Sequence, residues 1–231
     1  MIKGNTTLKE LKLIEPVEPF GVGKYWQGIS HHKLLNTIST LAQDRKWNTQ
    51  YWTIGVSRDK QDLAASLILE IPGLYPKTLC LGVVNSNARR YSLQFYGGVY
   101  FLADKVGIVL SRDDTSHKHT LGVKLEGEIE AALNVFHQSA SSFEAKILEL
   151  EKTWITTNQA AVALSEAGIG EMIAWSRIGK ITGMFHKNNR QTAWSLLSQF
   201  AKVAQRSPVM SQMKSVYEFL QVVENISVLV A

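Results

Sequence analysis

Cysteine is almost missing from this chain. Cys80 is the only one among 231 residues, so no internal disulfide framework exists and no thiol cluster is present to hold a structural zinc. It lies between Leu79 and Leu81 on an expected strand, where a small buried hydrophobe fits better than a nucleophile. No apolar run approaches the roughly 20 residues of a membrane span, and the opening stretch MIKGNTTLKELKL lacks the apolar core of a signal peptide. A reducing cytoplasm, without a membrane partner, is the expected setting. Catalytic signatures are equally scarce. There is no GxxxxGK[ST] loop, no G-x-G-x-x-G after a strand, no H-E-x-x-H and no G-x-S-x-G elbow. Gly168-Ile169-Gly170 lacks a third glycine and follows a helical stretch, so it reads as a break. Asp113-Asp114 sits in a polar loop, where adjacent carboxylates are usually solvated. His31 and His32 are neighbours, so on a helix they point about 100° apart and cannot easily share one ion. Neither a cofactor nor a metal is expected, and the chain reads as non-enzymatic.

What is present is a folded composition with a basic bias. Hydrophobic residues make up 45% and charged residues 19%, as in a soluble domain with a sizeable core. The net charge of +5 suits an anionic partner such as nucleic acid. Its distribution says more. Residues 104–151 carry nine acids against five Lys or Arg, whereas residues 152–231 carry four against eight. The positive excess therefore belongs to the C-terminal third and to the central stretch.

Residues 1–29 read as an irregular lead-in punctuated by Pro16, Pro19, Gly21, Gly23 and Gly28. Ser30 is the expected cap of a helix from His31 to about Lys46, with Leu34, Leu35, Ile38, Leu41 and Ala42 on its apolar face. A hairpin follows, made of Tyr51–Val56 and Leu63–Leu69 around the charged turn at 57–62. Residues 78–120 hold the densest strand signals. Leu79 to Val84 form one strand, Asn85-Ser86-Asn87 a turn, and Tyr91, Leu93 and Phe95 alternate with polar residues along the next. Gly97-Gly98 is expected to break that strand before Val99–Leu102 starts another. Successive strands without intervening helices predict an α+β fold, built on an antiparallel meander of about five or six strands. After Gly127, Ile129, Leu133, Phe136, Ala140, Phe143, Ile147, Leu150 and Trp154 recur with a seven-residue period, which predicts one long helix over 128–154 laid across the sheet. Helices are then expected at about 156–167, 171–181, 191–205 and 209–224, with a basic linker at 183–189. The natural division is a core domain over residues 1–155 and a helical extension over 156–231, packed on or near it.

The candidate site is a set of cations interleaved with aromatics at strand ends. Arg89, Arg90 and Tyr91 occupy a hairpin tip, and Lys105, Arg112, His117, Lys118 and His119 lie at other strand ends, with Tyr96, Tyr100 and Phe101 nearby. Binders of single strands pair a cationic groove with aromatic platforms for bases, so these eight are the expected contacts. His117 and His119 would share one face of a strand, and with Lys118 between them they suit phosphate better than catalysis. The basic C-terminal residues Lys180, Lys187, Arg190 and Lys202 are the next candidates.

Several short motifs recur in a known order. They are Trp26…His31, Gly82-Val83-Val84-Asn85-Ser86, Gly98-Val99-Tyr100-Phe101-Leu102-Ala103-Asp104-Lys105, Lys118-His119-Thr120 and Thr192-Ala193-Trp194-Ser195-Leu196-Leu197. In this order they resemble a family of uncharacterised proteins encoded by phages, plasmids and some bacterial genomes. In that family a proline follows the tryptophan of the first motif and an asparagine stands at the place of Lys105. The resemblance implies a mobile-element setting and carries no biochemical activity. The layout of helix, antiparallel strands and long helix is also similar to that of phage single-strand annealing proteins, which oligomerise and hold DNA along a basic groove. The expectation is a single-stranded nucleic-acid-binding protein acting in replication, recombination or host takeover, with self-association an open option. The alternatives are a partner- or small-ligand-binding protein that blocks a host defence system, and a hydrolase using His119 with Asn85 or Asp104.

Overall fold

The computed structural model describes residues 3–4, 6–14, 28–74, 76, 78–102, 105–113, 124–188, 190–205 and 209–228. The chain opens with a two-residue strand β1 (Lys3–Gly4), a single helical turn α1 (Leu8–Leu11) and the helix α2 (His31–Asp44). Five strands follow: β2 (Asn48–Val56), β3 (Asp62–Glu70), β4 (Leu79–Ser86), β5 (Gln94–Phe101) and β6 (Val106–Arg112). Six helices complete the chain: α3 (Leu125–Ser141), α4 (Phe143–Lys152), α5 (Thr157–Ile169), α6 (Trp175–His186), α7 (Ala193–Ala204) and α8 (Val209–Val228). Each strand pairs antiparallel with the next, giving a six-stranded meander in the order β1-β2-β3-β4-β5-β6. The fold is α+β, as the run of strands without helices predicts.

Both faces of the sheet are covered, and β4 is buried along its whole length. The register says which helix covers which face. Leu81 pairs with Gly97 and Leu67, and a Cβ on Gly97 would lie 2.9 Å from the Phe136 ring and 3.2 Å from Phe143. That face therefore carries α3 and α4. Trp52, in register with Leu67, donates its indole N–H to Ser39 Oγ at 3.0 Å and brings α2 to the same side. Gly82 points the other way, where a Cβ would lie 2.3 Å from Met213 Sδ, so α8 covers the opposite face. α7 packs on the edge strand β6, between α4 and α8. Phe200 of α7 and Phe219 of α8 stack at 4.0 Å, and one continuous apolar cluster joins the sheet to α5, α7 and α8. Each fully buried Phe or Leu in it contributes roughly 1.5–3 kcal/mol by leaving water.

Three expectations need correction. Gly97-Gly98 does not end a strand: β5 runs through both, and the register slips there against β6 to form a bulge. Glycine serves close approach here, since a Cβ on Gly98 would sit 2.0 Å from the carbonyl oxygen of Ile108. Tyr91 consequently lies in the loop before β5, not on the strand. The heptad stripe is buried on the sheet from Ile129 to Leu150, but it belongs to two helices broken at Ser142. Ser141 and Ser142 donate their hydroxyls to Gln138 O and Ser139 O, and this local bonding competes with helix continuation. Trp154, the last member of the stripe, is 68% exposed. Finally, α6 runs to His186, so most of the expected basic linker is helix.

Candidate functional site

A groove opens at the edge of the sheet where β5 turns into β6. Its floor is apolar: Phe101, Val106 and Ile108 present their side chains on the face that carries α4. Its wall is α7. The start of that helix is fixed by a capping box, in which Thr192 Oγ1 accepts from the Ser195 N–H at 3.2 Å and Ser195 Oγ accepts from the Thr192 N–H at 3.1 Å. A short backbone staple holds the approach to the helix. Ile155 N–H donates to Gln191 O at 2.9 Å, and Ala193 N–H donates to Thr153 O at 2.8 Å. The α6–α7 linker, and Arg190 with it, is thereby tied to the end of α4.

The groove encloses about 290 Å³. This is near the lower end of the roughly 300–1,000 Å³ of ligand sites. Trp194, Ser198 and Lys202 are four residues apart, so they form one ridge of α7 about 12 Å long. The Trp194 indole is half-buried and packs on Phe101 at 5.7 Å between ring centroids. Arg190 brings a second cation from the linker, and no carboxylate among the described residues lies within ion-pair distance of it. Glu151 of α4 supplies a carboxylate to the same groove. The result is an apolar floor, one indole, two cations and one carboxylate within a single concavity. These groups have the chemistry to receive an anion that also carries a flat apolar part. Among the described residues, no three His, Cys, Asp or Glu side chains come close enough to hold a metal ion.

The residues singled out in the sequence fall at opposite ends of the sheet. Arg89, Arg90, Tyr91 and Arg112 lie at the end where β4 finishes and β5 begins, together with the β2–β3 turn. Lys105 lies at the other end, some 20 Å away along the strands, where Gln205 donates its side-chain amide to the Lys105 carbonyl. It therefore belongs beside the groove and shares no surface with the others. His117, Lys118, His119 and Asp104 lie outside the described residues.

At the first end Arg90 is neutralised, while Arg58, Lys60 and Arg89 stay exposed. Arg90 bridges Asp59, at 2.6 Å, and Asp62, and its backbone N–H donates to Ser86 Oγ at 3.1 Å. Asp62 is buried and also accepts from Ser86 Oγ at 2.7 Å. Asp59 is held down at about 2, chiefly by the Ser57 hydroxyl and next by Arg90. The Tyr91 ring packs on the core, and burial followed by the Asp62 charge pushes its hydroxyl well up. An Arg so occupied and a Tyr so placed make a poor phosphate contact and a poor base platform. Arg112 holds its guanidinium 5.3 Å over the Tyr217 ring, while Arg89 is exposed in a left-handed turn with φ 60°. Of the other aromatics, Tyr96 is core, and Tyr100 accepts from the Tyr51 hydroxyl at 3.0 Å on the face opposite Phe101.

Two residues of the sequence motifs do meet. Asn85 Nδ2 lies 3.3 Å from His31 Nδ1, with both side chains buried. Asn87 ties the same region to the lead of α2, accepting from Ile29 N–H at 2.9 Å and donating to Ile29 O at 3.0 Å. Asn85 is fully enclosed, so it offers no surface to a substrate. Cys80 is sealed as well, and burial pushes its thiol up to about 12, which removes it as a nucleophile near neutral pH.

Charge counting locates the excess that supplies Arg190 and Lys202, and Trp194 stands in a quoted motif. Nothing in the chain order joins them to Phe101, about ninety residues earlier. Comparison with protein-family models, with curated proteins and with solved structures gives no match.

Proposed function

We propose that this chain is a non-enzymatic single-stranded nucleic-acid-binding protein whose contact surface is the groove beside β6. One observation carries the reading: Arg190 and Trp194 line the same concavity over an apolar floor. Backbone phosphates need a cation and unstacked bases need an aromatic face, and both are within one nucleotide's reach here. Lys202 lines the same groove further along α7. The resemblance to phage and plasmid proteins supports a role in replication, recombination or host takeover.

A specific observation favours a second reading. Val162 and Ile169, one heptad apart on α5, and Trp175 on α6 are each more than half exposed. An apolar surface of this kind suits a protein partner. Fluorescence anisotropy with labelled single- and double-stranded oligonucleotides at two salt concentrations separates the readings. The nucleic-acid reading expects salt-dependent binding that favours the single strand. No binding of any oligonucleotide at low salt would leave the protein-partner reading standing.

A further inference from the structure

Folding leaves one large ring of the heptad stripe outside the core. The stripe is buried from Ile129 to Leu150, whereas Trp154 keeps 68% of its surface open. Its backbone is fixed all the same. Trp154 forms an isolated antiparallel bridge with Thr192, flanked by the staple hydrogen bonds from Ile155 N–H and Ala193 N–H. Thr192 caps α7 and lines the groove. Because the bonds flank the pair, the two Cα atoms are about 4.5 Å apart and both side chains leave the same side of the bridge. Arg190 is two residues before Thr192 and Trp194 two residues after it, so each Cα is at most about 7 Å from that of Thr192. One cation and two indoles therefore converge on a single backbone junction.

We infer that Trp154 is a second base-stacking contact, and that the bound strand leaves the groove across the Trp154–Thr192 bridge towards the end of α4. This rests on the nucleic-acid reading above and adds to it a contact residue outside the groove and a path for the strand. The Trp154 ring is no part of the apolar cluster, so packing does not account for an indole at this position. The bridge already holds its backbone, so stacking on the ring orders little more than two side-chain torsions. An indole offers every base a π-face, so the contact makes no demand on sequence. A phosphate at Arg190 has a base on each side of it along the strand, and the junction offers an indole to each. Trp175 has the exposure without the position. It starts α6, whereas the linker follows the other end of that helix, about 16 Å along the axis at His186.

The test measures binding of labelled oligo-dT by anisotropy at two salt concentrations, for the wild-type chain and for W154A, W154F and W175A. W154A should weaken binding by roughly 5- to 150-fold with the salt slope unchanged, because stacking releases no counterions. W154F keeps an aromatic face and should recover most of the loss. W175A should bind as wild type does. Thermal melting of W154A should match wild type, since the ring lies outside the core, so lost binding is not lost folding. Acrylamide quenching of tryptophan fluorescence gives a second readout. Oligo-dT should shield an accessible indole in wild type, and that shielding should shrink in W154F. Wild-type affinity in folded W154A overturns this inference and leaves the groove reading standing. So does an equal loss in W175A, which would mark a general apolar effect, and so does a changed salt slope in W154A, which would make the ring a support for Arg190. Failure of wild type to bind any oligonucleotide overturns the broader reading and this one with it.

Discussion

The two ends of the sheet carry the same kinds of side chain and use them differently. At one end Arg90 and Tyr91 follow β4, beside Asp59 and Asp62; at the other Arg190 and Trp194 stand at the start of α7, beside Glu151. In the first set the arginine is spent on two carboxylates and the ring is turned into the core. In the second the arginine has no carboxylate within ion-pair distance among the described residues, and the ring borders an open concavity. The first end is a clasp that holds two hairpin tips together. The difference shows that a basic-aromatic pair acquires a role from its partners, because an ion pair already formed inside the protein offers little to a phosphate.

The largest effect should come from the core that both ends share. Phe143 is buried against Gly97 midway along β5. Phe143→Ala should cost roughly 3–5 kcal/mol in urea or thermal unfolding, through lost transfer energy and the cavity left behind. A single transition for both ends would show one cooperative unit, and an unchanged stability would remove α4 from the core.

The clasp should respond next. Asp62→Ala leaves Arg90 and Ser86 without their buried acceptor, so it should cost roughly 1–3 kcal/mol. Oligonucleotide affinity should stay at the wild-type value, because the groove lies at the other end of the strands. A large loss of binding in folded Asp62→Ala would reverse the assignment of the two ends.

Charge removal sharpens the comparison directly. Arg190→Ala should lower the slope of log affinity against log salt by about 0.7, the loss of one contact to a single strand. Arg90→Ala should leave that slope unchanged and lower stability instead. Equal slopes in the two variants would mean that Arg190 touches no phosphate.

The smallest effect concerns pH. Asp59 titrates near 2 in the folded chain, below an ordinary carboxylate near 4 in the unfolded one. A depressed value means that its contribution is fully present above about pH 4 and is lost as the pH falls towards about 2. Asp59→Asn should therefore flatten the dependence of stability on pH in that window, and Ser57→Ala should do so in part, since the Ser57 hydroxyl is the first cause of the shift. The side chain is 44% exposed, so solvent keeps the effect modest.

Much of the architecture was legible along the chain. Strand-prone runs marked β2 to β4, the seven-residue period marked the stripe that covers the sheet, and Ser30 stands at its expected cap. These signals are local, since each depends on residues within a turn or two of one another. One failure was a local signal overruled by distant partners, and another was local bonding that the hydrophobic period does not register. Gly97-Gly98 is a breaker by composition, yet Ile108 and Phe136 require glycine at that point of a continuing strand. Ser141-Ser142 interrupts a period that says nothing of the backbone beneath it.

Local periodicity and turn chemistry, carried by the sequence alone, dictate an antiparallel meander, an apolar stripe to cover it and a positive excess in the last third. Which cations remain available was settled by folding. Arg90 meets Asp59 and Asp62 because the register of β3 with β4 brings two hairpin tips together. Arg190 escapes such pairing because the staple at Ile155 and Ala193 holds its linker over the mouth of the groove. Ionic partners act over a few ångströms, and only the packed chain brings residues thirty or ninety positions apart to that distance.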